Sequence, residues 1–182
     1  MAASKFILFL LLICSLNAKA SIDLAYTTWN ETLKLEAGGK SESAETHFDG
    51  YGIGYGKRFK TTKTSVYRYS LSAFFGTATA GGAQDTIIYQ RSRISVLALL
   101  PAVQYVYFPQ RGVGIALEAF SLYRDFMLPQ DGVTSASSGA AINFGATIGA
   151  RFNLNRNWLL FMKGGPVILE GGTLYSIGFQ ML

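Results

Sequence analysis

The sequence predicts an all-β fold, an eight-stranded antiparallel up-and-down transmembrane β-barrel. Three observations predict it. Apolar and polar residues alternate with period two over eight runs. The gaps between runs alternate in length: those at Phe59–Lys63, Pro109–Arg111 and Leu154–Arg156 are tight, and the others are longer and rich in Gly, Ser, Ala and Asp. Charged residues make up only 15% of the chain, against about 25% in an ordinary soluble domain. Short turns at one end and longer loops at the other are the pattern of a membrane barrel.

The N-terminus reads as an export signal. Lys5 gives a positive start, Phe6–Leu16 is apolar, and Ala18-Lys19-Ala20 is a small-x-small cleavage site. The apolar run is shorter than the roughly 20 residues of a spanning helix. Cleavage after Ala20 is therefore expected, with residues 1–20 as signal peptide and 21–182 as one barrel domain. Cys14, the single cysteine, leaves with the signal. Its neighbour Ile13 does not suit a lipoprotein signal, which needs a small residue there. A mature chain without cysteine has no disulfide, no thiolate nucleophile and no Cys-ligated metal. The net charge of +5 is scattered rather than clustered, which argues against nucleic-acid binding.

The strands follow in order. The first falls within Ile22–Glu36, the second within Phe48–Arg58 and the third within Thr64–Thr77. The fourth lies within Ile87–Phe108, the fifth within Gly112–Phe126 and the sixth within Gly139–Asn153. The seventh begins at Asn157 and reaches at least Lys163, and the eighth is Thr173–Leu182. In the sixth, Ile142, Phe144, Ile148 and Phe152 share one face and Asn143, Thr147, Gly149 and Arg151 the other. In the second, Tyr51, Ile53 and Tyr55 oppose Gly50, Gly52, Gly54 and Gly56. In the third, Tyr67, Tyr69, Leu71 and Phe75 oppose Arg68, Ser70 and Ser72. The fourth is least regular. Ile94–Gln110 carries no charge, but Pro101 and Gln104 interrupt it and its Val, Tyr and Phe favour strand. A bulge that shifts the register is expected at Pro101.

A soluble barrel would turn its polar face outward and cover it with Lys and Glu. Here that face is small and uncharged, which suits a lumen only wide enough for side chains. The apolar face is therefore assigned to lipid. Both termini are expected on the periplasmic side. The loops near Gly38–His47, Ala78–Gln84, Pro129–Ser138 and Gly165–Gly172 are expected outside.

The signal, the eight strands, the short even turns and the alternating C-terminal strand Tyr175-Ser-Ile177-Gly-Phe179-Gln-Met181-Leu182 resemble the small outer-membrane β-barrels of Gram-negative bacteria. The OmpA membrane domain and OmpX are the best-known forms. The resemblance implies a place in the cell outer membrane among its lipids and lipopolysaccharide, and insertion by the barrel-assembly machinery. That family usually ends in Phe or Trp, and this chain ends in Leu182. No peptidoglycan-binding domain follows the barrel, so wall anchoring is not implied.

Candidate chemistry is sparse. His47, the only histidine, is placed in the first loop with Ser41, Ser43, Glu45 and Asp49. A lipid hydrolase would need a Ser or an acid within reach of it on a lipid-facing wall. A solvated polar loop explains the same composition, so no catalytic site is assigned. One histidine also makes a His-based metal site improbable, and no cofactor is indicated. The Gly52-x-Gly54-x-Gly56 row lies inside a strand with no helix after it, so it is no nucleotide loop. Its role is to make room for bulky residues of the opposite wall. The sequon at Asn30-Glu31-Thr32 carries little weight in a bacterial surface protein. Charges in the lumen phase say more: Arg68, Glu118, Arg151 and Lys163 are expected to form a polar plug, since isolated buried charges are unstable. Counted from the short-turn end, Glu118 and Lys163 fall at similar heights, with Arg68 and Arg151 as alternative partners of Glu118. The role expected is structural or surface-interactive; a lipid-modifying enzyme and a narrow channel are the alternatives.

Overall fold

The computed structural model describes residues 20–37, 40–81, 94–127, 135–138, 142–169 and 171–182. Residues 1–19, which include Cys14 and all but the last residue of the expected signal peptide, lie outside these residues. So do 82–93, which include the start of the expected fourth strand and the last residues, 82–84, of the loop expected at Ala78–Gln84.

Among the described residues, nine strands form one antiparallel sheet. They are β1 (Ala20–Ala37), β2 (Lys40–Thr61), β3 (Ser65–Gly81), β4 (Ile94–Gln110), β5 (Val113–Met127), β6 (Ser135–Ser138), β7 (Ile142–Asn153), β8 (Trp158–Val167) and β9 (Gly172–Met181). Eight of them run in the order β2-β3-β4-β5-β7-β8-β9-β1, and a β1–β2 pairing closes the ring. Closure removes every edge from the wall, as a segment in hydrocarbon requires. The short β6 is the one strand with no counterpart in the sequence reading. It pairs with β1 through Leu33–Glu36, above the point where β9 leaves β1 at Trp29.

The turns at 62–64, 111–112 and 154–157, the start of β1 and the end of β9 share one end of the barrel, where Ile22 pairs with Met181. Gln110 pairs with Val113, so Arg111 and Gly112 make a two-residue turn. Gly112 has φ +87° there, a left-handed conformation that glycine adopts without steric cost.

At the other end, strand runs into all four expected loops: 40–47 lie in β2, 78–81 in β3, 135–138 form β6 and 165–167 lie in β8. Residues 40–47 belong to β2 and pair with β1 from Ala37 down to Asn30. The ladder between two strands satisfies the backbone of a polar segment as well as water does, so polarity alone did not mark a loop. The β1–β2 hairpin thus runs eight residues past the Trp29–Phe48 pair, roughly 25 Å at the rise of a strand. Likewise 165–167 continue β8, leaving a tight connection in which Gly171 has φ +72°.

Pro101 does not shift the register. Leu71 pairs with Pro101 on one side, and on the other Leu99–Tyr123 and Ala102–Phe120 keep the same offset. The β4–β5 pairing lapses across Leu100 and Pro101, where the missing N–H cannot bond, and resumes unchanged. The register shifts instead between Tyr107 and Gln110, and in β2–β3 between Arg58 and Lys60.

The outward face follows the period. Tyr51 is 76% exposed and Ile148 62%, with Leu117, Phe144, Tyr175, Ile177 and Phe179 in the same phase. The inward face is not uniformly small and polar. Trp29, Phe48, Phe74, Leu100, Phe120, Leu122 and Leu174 all point into the lumen and are buried. The expectation of a Gly, Ser, Thr and Asn interior holds for only part of the barrel height.

Candidate functional site

The lumen contains two layers of different chemistry. The lower layer, nearer the short turns, is polar. Arg68 on β3 donates from Nη2 to Asp23 Oδ2 of β1 at 2.7 Å. Lys163 on β8 donates from Nζ to Glu118 Oε1 of β5 at 2.5 Å. Gln104 Nε2 donates to Glu118 Oε2 at 2.8 Å, and the Thr147 hydroxyl reaches Glu118 Oε1 at 3.5 Å. Arg151 donates from Nη1 to Gln180 Oε1 at 2.9 Å and from Nη2 to Gln104 Oε1. Gln180 Nε2 donates to the Ser21 hydroxyl at 2.8 Å. A chain of hydrogen bonds therefore crosses the barrel from Ser21 through Gln180, Arg151, Gln104 and Glu118 to Lys163.

Of the four charges singled out in the sequence, Glu118 and Lys163 meet directly. Arg151 joins them only through Gln104. Arg68 is not a partner of Glu118; it pairs with Asp23, a residue the sequence reading did not nominate. Asp23 reaches Arg68 across β2, where Asp23 pairs with Gly54 and Arg68 with Arg58, so the contact appears only when three strands are in register. Gln104 and Gln180 were also missed, because a neutral amide in a strand looks like any other polar inward residue.

The glycine row of β2 makes this packing fit. A Cβ at Gly56 would lie 1.9 Å from the Arg68 guanidinium, and one at Gly52 2.2 Å from the Phe74 ring. The space is taken by side chains of the adjacent strand β3, not by those of the opposite wall. Gly145 does the same for Phe120, whose ring would be 2.2 Å from an added Cβ.

The upper layer is apolar. Trp29 stacks on Phe48 with centroids 4.8 Å apart and planes 3° from parallel. Phe74, Leu100, Phe120, Leu122 and Leu174 complete the cluster. Above it Arg124 pairs with Glu31, both side chains wholly buried, and Trp29 Nε1 donates to Glu31 Oε1 at 3.1 Å. Any path along the axis must cross the polar network, the aromatic layer and this ion pair.

On the outer wall, His47 is exposed and lies on β2 opposite Asn30. Its Nε2 is 3.1 Å from the Thr28 hydroxyl, and its Nδ1 is 2.6 Å from Asn30 Oδ1. The Thr28 hydroxyl also donates to the Phe48 carbonyl at 2.8 Å. These groups lie directly above the Tyr26–Tyr51 ring pair, whose centroids are 5.3 Å apart. No group of three or more potential metal ligands occurs among the described residues. An apolar depression of about 1020 Å³ is lined by Tyr69, Leu71, Pro101, Val103, Ala119 and Phe144 among others.

No protein-family model matches the chain, and no curated protein matches it in sequence. The solved structures it resembles include outer-membrane β-barrels. OprG from Pseudomonas aeruginosa is 12% identical with a TM-score of 0.49, over 90% of this chain and 95% of that one. Neisserial surface protein A is 13% identical with a TM-score of 0.47, over 90% and 98%. The outer membrane enzyme PagL is 17% identical with a TM-score of 0.44, over 87% and 99%. The assignment of the fold itself rests on the closed strand order.

Proposed function

We propose that this chain is an integral outer-membrane β-barrel protein with a structural or surface-interaction role, no catalytic site and a lumen closed to transport. The filled lumen supports this reading best. Two packed layers occupy the interior, so the wall and the projecting β1–β2 hairpin are the surfaces left to work. The outward apolar face and the export signal support the membrane and the compartment. In this reading the short turns and termini face the periplasm, the hairpin faces outward, and outer-membrane lipids and lipopolysaccharide surround the wall. Insertion passes through the barrel-assembly machinery. Single-channel recording of the refolded protein is expected to show no steady conductance, and a reproducible unitary current would overturn the closed lumen. Cysteines at Ser43 and Ser135 should react with an impermeant label on whole cells; labelling confined to Thr62→Cys would invert the orientation.

A second reading has one observation behind it. Thr28, His47 and Asn30 align a hydroxyl, an imidazole and an amide on the outer wall, the order of groups in an acyl-transfer site. Three features weigh against it. The Thr28 proton is engaged by the Phe48 carbonyl, and both ring nitrogens are taken, leaving none for Glu45 or Asp49. The backbone N–H groups of the paired wall are also committed to the ladder, so they are not free to stabilise an oxyanion. Fatty-acid release from outer-membrane lipid that disappears in His47→Ala would replace the first reading with this one.

A further inference from the structure

The polar layer of the lumen holds more positive than negative charge, and we propose that it binds a single small inorganic anion of halide size among Arg68, Arg151 and Lys163. Five ionised groups line one cavity there: the carboxylates of Asp23 and Glu118, and the cations of Arg68, Arg151 and Lys163. Each carboxylate already has a cation, Asp23 with Arg68 and Glu118 with Lys163. Arg151, 5% exposed, meets only the neutral oxygens of Gln104 and Gln180. A buried cation without a counter-charge is costly, and an anion in contact with it removes that cost.

Three further features fit such an ion. Arg68 Nε and Arg151 Nε are buried donors without a protein acceptor, and both residues line the cavity. The cavity is about 20 Å³, above the roughly 10–15 Å³ that one water needs. A monatomic halide is little larger than water, whereas an oxyanion such as sulfate is too large. The short-turn end of the barrel adds Lys57, Arg58, Lys60, Lys63, Arg111 and Arg156, and the segments around them carry no Asp or Glu. Such a ring raises the local concentration of anions at that mouth. Asp23 Oδ1, also buried without a donor, makes water the competing occupant. The inference stands on the lumen alone and is independent of what the surface hairpin contacts.

The test measures the unfolding midpoint of the folded barrel in zwitterionic detergent. Sodium chloride or bromide replaces sodium gluconate at constant ionic strength. A saturable upward shift with either halide is expected, together with broadening of the ³⁵Cl resonance by the wild-type protein. Ser176 lines the same cavity and faces Lys163 across β8–β9. Ser176→Asp supplies a resident carboxylate, so its midpoint in gluconate should rise and its halide response should vanish. Arg151→Gln removes the surplus charge and should abolish both the shift and the ³⁵Cl broadening. Equal wild-type midpoints in halide and gluconate, with no ³⁵Cl broadening, would show that the cavity holds water only. A full halide response in Arg151→Gln would place the ion elsewhere. Neither readout depends on conductance, so a leaky lumen and a missing ion are told apart.

Discussion

The two layers of the lumen solve one packing problem in opposite ways. The lower layer fills the barrel with long side chains whose ends meet: Lys163 with Glu118, Arg68 with Asp23, Arg151 with two glutamines. The upper layer fills it with rings and branched chains that interlock by shape, from Trp29 on Phe48 to Leu122 and Leu174. Polar filling tolerates small voids, since a hydrogen bond fixes where each group ends; apolar filling leaves its free energy in contact area. The lower layer should fail when a partner is removed, and the upper layer when volume is removed.

The largest effect is expected at Glu118. Glu118→Ala leaves Lys163 and Gln104 without an acceptor and should destabilise the barrel by about 3–5 kcal/mol. Lys163→Met on top of it should recover part of that loss in a double-mutant cycle. Additive losses would mean that the pair is not coupled and that the lower layer packs like the upper one.

Leu122→Ala in the upper layer should cost about 2–5 kcal/mol through lost contact and a residual cavity. Here rescue should come from size rather than charge. Leu122→Met, close in volume, should cost less than about 1.5 kcal/mol. Urea unfolding of the two variants side by side decides it, and equal losses would sink the idea that shape holds this layer.

The wall supplies the control. Ile148→Arg, facing lipid, should destabilise by about 2–4 kcal/mol if it lies near the midplane. Thr147→Arg, one residue away, puts its charge beside Lys163 in the lower layer, so its loss should ease as ionic strength rises while that of Ile148→Arg stays constant. Matching salt dependence in the two variants would erase the distinction between wall and lumen.

The smallest effect belongs to the outer rim. Thr28→Val removes hydrogen bonds to His47 and to the Phe48 carbonyl at a half-buried position, for an expected cost of about 0.5–1.5 kcal/mol. A loss as large as that of Glu118→Ala would show that the rim is as tightly coupled as the lumen.

The lower layer was legible in the sequence because charge in a strand is conspicuous. Arg68, Glu118, Arg151 and Lys163 stand in the inward phase of their strands, and counting from the short turns puts Glu118 and Lys163 at one height. The upper layer was hidden because both phases of its strands are apolar. Phe74 precedes Phe75 and Leu99 precedes Leu100, so period two shows no contrast to read. His47 was misplaced for a related reason: Lys40–His47 is polar, and polarity describes a solvated hairpin as well as a loop.

The sequence by itself determined the period of the strands, the end that carries the tight turns, and which residues of a strand share a face, because a two-residue repeat fixes faces without reference to any partner. Only the tertiary structure decided who meets whom inside. The pairing of Asp23 with Arg68 and the reach of Arg151 to Gln104 join side chains that are not register partners, so they depend on how the sheet curls and on the shear at which it closes. Those are properties of the ring of strands as a whole.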